Sequence, residues 1–389
     1  MAFRFSSSIS NDFSTGDRQS LGEKARAINW GLVLLVILVS SIGIAMLFSA
    51  GGKSWEPWAK PQLIRLGVGG VAMLCLAFVD VRWWLRLAYP LYAVILALLI
   101  VVEVKGHIGM GAQRWINLGF FVLQPSELMK ITLVLALARY FHGLTPDAIG
   151  QIRSLLAPAV MALLPIGLVL MQPNLGTATL LAGVTGTMFF VAGVRKWKFA
   201  ALGTAIGGCL PLVWHYYMHD YQKKRVLTFL EPEADKLGAG YNIMQSKIAL
   251  GSGGLFGKGF GQGTQSQLQF LPEKHTDFIF VVLAEEFGLF GTLLLLALYA
   301  LILVYGLLIA INCQSQFARL AALGLTINFF LYLCVNICMV TGLIPVVGIP
   351  LPLVSYGGTA LLTLLLAFGV LLSLSVHRHS RISRTGMQG

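Results

Sequence analysis

Negative charge is what this sequence has least of. Asp and Glu number 16 in 389 residues against 28 Lys and Arg, and charged residues of both signs make up only 11%. So thin a charged complement cannot clothe an ordinary soluble domain, and that class is excluded. Cysteine is scarce too, five in all. Cys75, Cys209, Cys334 and Cys338 fall inside apolar runs and Cys313 at a helix end, which leaves no disulfide framework and makes buried packing the expected role. Cys334 and Cys338 stand four apart, but two thiols alone do not make a metal site. No internal repeat or low-complexity tract stands out.

What the sequence has is length of hydrophobic run. Hydrophobic residues make up 57% and the mean hydropathy is +0.78. The clearest run is Trp30 to Ala50; others are Leu63 to Val79, Leu85 to Val104, Leu128 to Phe141 and Leu155 to Met171. Thr177 to Val194, Phe199 to Met218, Phe278 to Ile311, Leu320 to Thr341 and Leu351 to Val376 complete the set. At about 20 residues per crossing, the pattern predicts an all-α polytopic membrane protein with about ten transmembrane helices and a large extracytoplasmic loop between helices 7 and 8. The expected organisation is a tail at 1–28, a transmembrane domain at 29–376 containing a 219–277 loop, and a tail at 377–389. DRQSLGEKARAINW, before the first run, reads either as a short amphipathic anchor on the membrane surface or as a disordered tail.

The net charge of +12 raises nucleic acid as a partner, but the placement of that charge argues for a membrane. Lys24 and Arg26, Arg82 and Arg86, Arg153, Arg195 with Lys196 and Lys198, Arg319, and Arg378 with Arg381 and Arg384 all fall on one side if the helices alternate. This is the positive-inside pattern, with both termini cytoplasmic. Three connections are then extracytoplasmic: GHIGMGAQRWINLGFFVLQPSE, the span from about Asp220 to Asp277, and GLIPVVGIPLPLVSYGG. Within the second, GSGGLFGKGFGQG lacks the glycine and Ser/Thr positions of a nucleotide-binding loop. Tight turns with backbone N–H groups near a substrate phosphate remain open to it.

Four scarce acids gather in FLPEKHTDFIFVVLAEEFG: Glu273, Asp277, Glu285 and Glu286. Asp277, just before an apolar run, fits a helix N-cap. It equally fits a general base, partly desolvated among Phe270, Phe278 and Phe280. From Asp277 to Glu285 is a little over two helical turns, so at most one of Glu285 and Glu286 faces the same cavity; a buried structural ion pair is the alternative. In QPSELMKI, Ser126 is a plausible cap with Pro125 just outside, and Glu127 and Lys130 can meet at i,i+3. Arg114 is either an interfacial anchor or a phosphate contact. His215 and His219, four apart beside Asp220, lie in a run of aromatics that reads as an interfacial belt rather than a metal pair. No ligand set for a resident metal is legible, and a divalent cation that shares the charge of a phosphate is left open.

Taken together, GAQRWINLGFFVLQPSELMK, QPNLGTA, KRVLTFLEPEADKLGAGYNIMQSKIALGSGGLFGKG, GTQSQLQFLPEKHTDFIFVVLAEEFG and IPVVGIPLPLVSYGG resemble the SEDS proteins of bacterial shape, elongation, division and sporulation. GYNIMQSKIALGSGG followed by GTQSQLQFLPE points to the elongation branch rather than the division branch. The resemblance covers nearly the whole chain after its N-terminal tail. It implies a peptidoglycan glycosyltransferase acting on lipid II, an undecaprenyl pyrophosphate-linked disaccharide-peptide. The partners it implies are a class B penicillin-binding protein, which is a transpeptidase, and other elongation-complex proteins.

On this resemblance Asp277 carries the family's essential carboxylate, and Glu127 and Lys130 its charged cavity pair. The chemistry itself asks for one base to deprotonate an attacking sugar hydroxyl and for cations to hold the departing pyrophosphate. Asp277 is the expected base. Arg114, Lys130, Arg225 and Lys247 are expected pyrophosphate contacts, and Gln124, Ser126, Glu273, His275 and Ser355 are further substrate-binding candidates. Two rivals stand beside this reading: a transporter or flippase of lipid-linked sugars, and a non-catalytic scaffold for a transpeptidase. The first would place ionisable groups near the membrane midplane on broken helices. The second would tolerate the loss of Asp277.

Overall fold

The structure is a computed structural model, and it describes residues 20–109, 112–117, 119, 122–218, 220–231, 239–267, 273–380 and 382. Of the expected tails, residues 1–19, Arg381 and residues 383–389 lie outside the described residues. Each apolar run becomes a helix. The first are α2 (Trp30–Ala50), α3 (Ala59–Ala77), α4 (Val81–Lys105), α5 (Pro125–His142) and α7 (Arg153–Met171). They are followed by α8 (Leu175–Ala192), α9 (Lys196–Leu212, continued by a π-helical turn Val213–Tyr217), α13 (Ile279–Asn312), α14 (Gln316–Val340) and α15 (Gly358–Val376). Seven of the ten, α2, α4, α7, α8, α13, α14 and α15, are long and apolar enough to cross a membrane by length and composition. Their outward faces carry large apolar side chains such as Leu34, Val68, Leu163 and Leu294, as expected of helices solvated by lipid.

Short helices fill the connections. α1 (Leu21–Ala27) is closed by a capping box, in which Ser20 accepts from the Glu23 N–H and Glu23 accepts from the Ser20 N–H. α6 (Pro146–Ile149) follows α5, and α10 (Asp220–Leu230), α11 (Ala239–Ser252) and α12 (Thr264–Gln267) give the large loop a helical content that its glycines conceal. The loop after α4 forms a three-stranded antiparallel sheet, β1 (His107–Gly109), β2 (Ala112–Asn117) and β3 (Val122–Leu123), in the order β1-β2-β3. Within it Ala-Gln-Arg-Trp-Ile-Asn is a six-residue strand.

The core lies around α5, where 15 of the 18 residues are buried as the helix packs against α4, α7, α8 and α14. Alternate connections meet at opposite ends of the bundle. At one end, Lys24 donates to the Phe78 carbonyl, Lys198 to the Gly150 carbonyl, Ser373 to the Val79 carbonyl and the Gln314 N–H to the Arg378 carbonyl. At the other, Trp58 stacks on His275 and Arg114 reaches the Gln172 carbonyl.

Helix α13 is not continuous. Gly288 sits at φ 62°, ψ −157°, outside helical geometry. The glycine-rich segment after α11 occupies the gap: the Lys258 and Gly259 N–H groups donate to the Glu285 and Glu286 carbonyls (both 3.0 Å), and the Leu289 and Phe290 N–H groups donate to the Gly254 and Leu255 carbonyls (3.0 and 3.1 Å). Four backbone groups freed by the break are thereby satisfied inside an apolar bundle, where leaving them bare would be costly. Gly257, at φ 80°, lies so close to the Glu286 carbonyl that a Cβ there would overlap it. Two of the N–H groups of this loop thus go to the broken helix.

Candidate functional site

A cleft of about 440 Å³ opens at the end of the bundle where β2, the start of α5, the start of α8 and the segments before α13 and α15 converge. Arg114 and Trp115 enter from β2, Gln124 and Glu127 from the α5 start, Asn174 and Thr177 from the α8 start, and Glu273, Thr276 and Asp277 from the turn before α13. Tyr332 of α14 and the 348–350 and 357–360 segments complete the wall.

Asp277 is not a side-chain cap. The N-cap of α13 is Phe278, which makes no side-chain cap bond. The turn that carries Asp277 is strapped through its carbonyls instead. The Asn336 amide donates to the Asp277 carbonyl (3.0 Å) and to the Ile349 carbonyl (2.7 Å). The Ser355 hydroxyl donates to the Thr276 carbonyl (2.5 Å) and accepts from the Leu351 N–H (2.7 Å), and the Tyr356 N–H donates to the His275 carbonyl (2.8 Å). Such a turn fixes the backbone from which the Asp277 side chain projects. Gly348, at φ 71°, lies beside the carboxylate: a Cβ there would stand 3.5 Å from Asp277 Oδ2, an ordinary contact distance.

The α5 start is displaced by two residues from expectation. Gln124 is the N-cap, Pro125 occupies the first turn and Ser126 is inside the helix, 1% exposed, accepting from the Gln124 side chain. Glu127 accepts from Lys130 (2.6 Å) through one oxygen and from the Tyr332 hydroxyl (2.6 Å) through the other, and Lys130 also contacts that hydroxyl. Lys130 is 1% exposed, so the ammonium is sealed behind Glu127 and Tyr332, which present the network's outer face to the cleft.

The structure therefore brings Asp277, Glu127, Arg114, Gln124 and Glu273 together around one space. Ser126 and Lys130 lie beneath its wall. His275 and Ser355 act on the turn: His275 stacks on Trp58 (centroids 4.3 Å apart, 7° between planes), and burial lowers its pKa, opposed by Glu273 and assisted by Lys274. Burial lowers the Lys274 pKa as well, against the pull of Glu286. Arg114 spends part of its guanidinium on the Gln172 and Pro173 carbonyls. Lys247 is exposed on α11 and lies over Gly342 rather than in the cleft wall. Arg225 is on α10, and its side chain, like His219, lies outside what is described.

Neither Glu285 nor Glu286 lines the cleft. The helical-face reasoning that linked one of them to Asp277 is corrected, because α13 begins after Asp277 and its periodicity does not extend back to that residue. Glu285, fully buried, accepts from Lys258 (2.8 Å), Thr264 and the Gln265 N–H, and Glu286 accepts from Ser49. The four acids thus split: two at the cleft, two tying the glycine-rich segment to the break. Among the described residues no group of three or more His, Cys, Asp or Glu gathers to hold a metal ion. Sequence reasoning missed Tyr332, Asn336 and Trp58. Tyr332 and Asn336 stand four apart in an otherwise apolar helix, which was the available signal.

Residues 26–380 match a family of proteins described as cell cycle proteins, the FtsW, RodA and SpoVE group. The chain is similar to peptidoglycan glycosyltransferase MrdB of Escherichia coli (strain K12), 45% identical over 349 residues that cover 89% of this chain and 92% of that one. It is similar to stage V sporulation protein E of Bacillus subtilis (strain 168), 38% identical over 90% of this chain and 97% of that one. Among solved structures, a chain of a peptidoglycan synthase complex that coordinates polymerization and crosslinking superposes with a TM-score of 0.79 at 33% identity, covering 91% of this chain and 99% of that one. The rod shape determining protein RodA of Thermus thermophilus superposes with a TM-score of 0.68 at 31% identity, covering 91% and 98%.

Proposed function

Because the chain belongs to the FtsW/RodA/SpoVE family, the SEDS proteins, we infer that it is a RodA-like peptidoglycan glycosyltransferase, a multi-pass membrane enzyme that polymerises lipid II into glycan strands during cell elongation. The observation that carries the mechanistic reading is Asp277, set at an open cleft on a turn whose carbonyls Asn336, Ser355 and Tyr356 hold. In that reading the Asp277 carboxylate takes the proton of the attacking sugar hydroxyl. The hydroxyl oxygen bonds to the anomeric carbon of the second unit, and the bond from that carbon to the pyrophosphate oxygen breaks. The leaving group, undecaprenyl pyrophosphate, is good without protonation, so one base plus positive charge suffices.

Glu127, Tyr332 and Gln124 form the opposite wall and support a role in holding the polar headgroup. Lys130 acts through Glu127, fixing its charge and orientation. The same-end grouping of the basic connections supports a cytoplasmic position for both termini and an extracytoplasmic position for the cleft. A class B penicillin-binding protein is the proposed partner, within the elongation complex, by analogy with the synthase complex that the fold matches. The break in α13 gives the transporter reading no support, because the glycine-rich segment takes the Glu285 and Glu286 carbonyls and the Leu289 and Phe290 N–H groups that a cargo site would need.

The test is polymerisation of lipid II by the purified full-length protein with its transpeptidase. Asp277→Asn is expected to stay folded and partner-bound and to make no glycan polymer. Polymer at the wild-type yield would reduce Asp277 to a structural residue and reopen the scaffold reading.

A further inference from the structure

The proposed reaction needs positive charge for a departing pyrophosphate, and the cations expected to supply it are poorly placed: Lys130 is sealed, Lys247 lies elsewhere and Arg114 is partly spent on carbonyls. A different arginine is unspent. Arg65, on α3, is partly buried, and its Nη1 is fully enclosed without a hydrogen-bond partner. Among the described residues it makes no ion pair; its recorded contact is a cation–π stack with the guanidinium carbon 4.8 Å from the Tyr356 ring centre. An enclosed guanidinium N–H without an acceptor among the described residues is costly, and an anion that binds the accessible side of the same fork offsets part of that cost.

The position of Arg65 identifies that anion. Its guanidinium carbon and Nη2 lie 3.7 Å from where a Cβ on Gly358 would stand, and Gly358, with Gly357, Thr359 and Ala360, lines the cleft that holds Asp277. These residues open α15, a 19-residue helix whose N-cap, Gly357, carries no side-chain cap bond, so the helix start lies at the cleft wall beside the arginine. On the other flank, Ile64, Val68 and Val71 of α3 are exposed apolar side chains along one helix face. The arginine thus stands at the corner where an apolar, lipid-facing helix surface meets a polar cleft.

We propose that Arg65, with the opening turn of α15, is a binding subsite for the pyrophosphate of a lipid-linked substrate or leaving group, whose chain runs along the exposed face of α3. This rests on the glycosyltransferase reading and adds to it the residue that receives the leaving group. Arg65 contributes a planar fork matched to two phosphate oxygens, Tyr356 fixes the plane of that fork, and the glycines let the phosphate approach the backbone. Lys130 and Arg114 are not required for the contact.

The test is binding of undecaprenyl pyrophosphate, undecaprenol and inorganic pyrophosphate to the purified full-length protein, as wild type, Arg65→Gln, Arg65→Lys and Asp277→Asn. Arg65→Gln is expected to weaken undecaprenyl pyrophosphate about tenfold or more while undecaprenol binding stays within twofold, and Arg65→Lys to fall between. Inorganic pyrophosphate competing with the lipid in wild type and losing that competition in Arg65→Gln places the recognition in the headgroup. Competition by the lipid form alone, still dependent on Arg65, places it in headgroup and chain together. Undecaprenyl pyrophosphate binding within twofold of wild type in Arg65→Gln, or an equal loss of undecaprenol, overturns the subsite. Should Arg65→Gln not yield monodisperse protein, Arg65→Lys decides, with at least threefold weaker binding expected and wild-type binding overturning. Asp277→Asn is expected to bind normally; if it also polymerises lipid II, the general-base reading fails while the Arg65 result stands or falls by itself.

Discussion

Removing Glu127 and removing Lys130 should not cost the same, although the two form one ion pair. Glu127→Gln leaves the Lys130 ammonium at 1% exposure with the Tyr332 hydroxyl as its neighbour. Stripping one partner from a buried pair typically costs about 3–5 kcal/mol, and here the survivor has no route to water. Lys130→Met leaves Glu127, which lines an open cleft and keeps the Tyr332 hydroxyl at 2.6 Å. That carboxylate can take up water or a proton, so about half the cost is expected, roughly 2 kcal/mol. The double variant Glu127→Gln/Lys130→Met buries no charge and should recover most of the loss, costing only about 1 kcal/mol, so that the two single costs are far from additive. At roughly 1–2 °C per kcal/mol for a chain of this size, the melting temperature in one fixed detergent should rank wild type, double variant, Lys130→Met, then Glu127→Gln. Equal single losses, or a double variant showing their sum, would refute the picture of a sealed cation behind a cleft-facing acid.

Gly257→Ala forces a side chain onto the Glu286 carbonyl at positive φ, and should lower the melting temperature by the equivalent of about 2–4 kcal/mol as the hydrogen bonds across the break are lost; an unchanged melting curve would show that the segment does not depend on that approach. Asn336→Leu removes the amide that holds the Asp277 and Ile349 carbonyls, and is expected to lower lipid II polymerisation at least tenfold with substrate binding retained; loss of binding and turnover in equal measure would point to general misfolding. The folded pKa of His275 is lowered by burial, so its neutral form is favoured in the native state, and its contribution to stability is present above about pH 6.5 and lost as pH falls through the folded value. With Glu273 and Lys274 unchanged, His275→Gln should therefore narrow the difference in melting temperature between pH 8 and pH 5.5, and an identical difference would remove His275 from the account.

The helices were legible because lipid imposes a coarse rule: about 20 apolar residues make a crossing, and every such run here became a helix. The elements that aim the site obey finer rules. β2 alternates for only six residues, too few to stand out beside helical runs. The Asp277 to Glu285 spacing looked helical because Phe278 and Ile279 are apolar, yet the helix begins at Ile279, and one residue of offset removes the inference. Gly257 and Glu286 are far apart in the chain, so nothing local announces that a glycine loop closes a broken helix. Tyr332 and Asn336 were visible as polar residues on one face of α14, but their partners, Glu127 and the Asp277 carbonyl, come from distant segments. Arg65 looks like any charge in an apolar run, and only the fold shows that it lies against Gly358 and makes no ion pair among the described residues.

The interruption at Gly288 also sets a height. The roughly 24 residues from Leu289 to Asn312 rise about 36 Å at ~1.5 Å each, already more than the ~30 Å hydrocarbon slab. The turns from Ile279 to Glu286 are therefore expected to stand clear of the oil, with Asp277 beyond them at the level of headgroups and water. A substrate with a polar sugar end and a long greasy anchor need not be lifted out of the bilayer to react there; it can stay moored while only its head is handled.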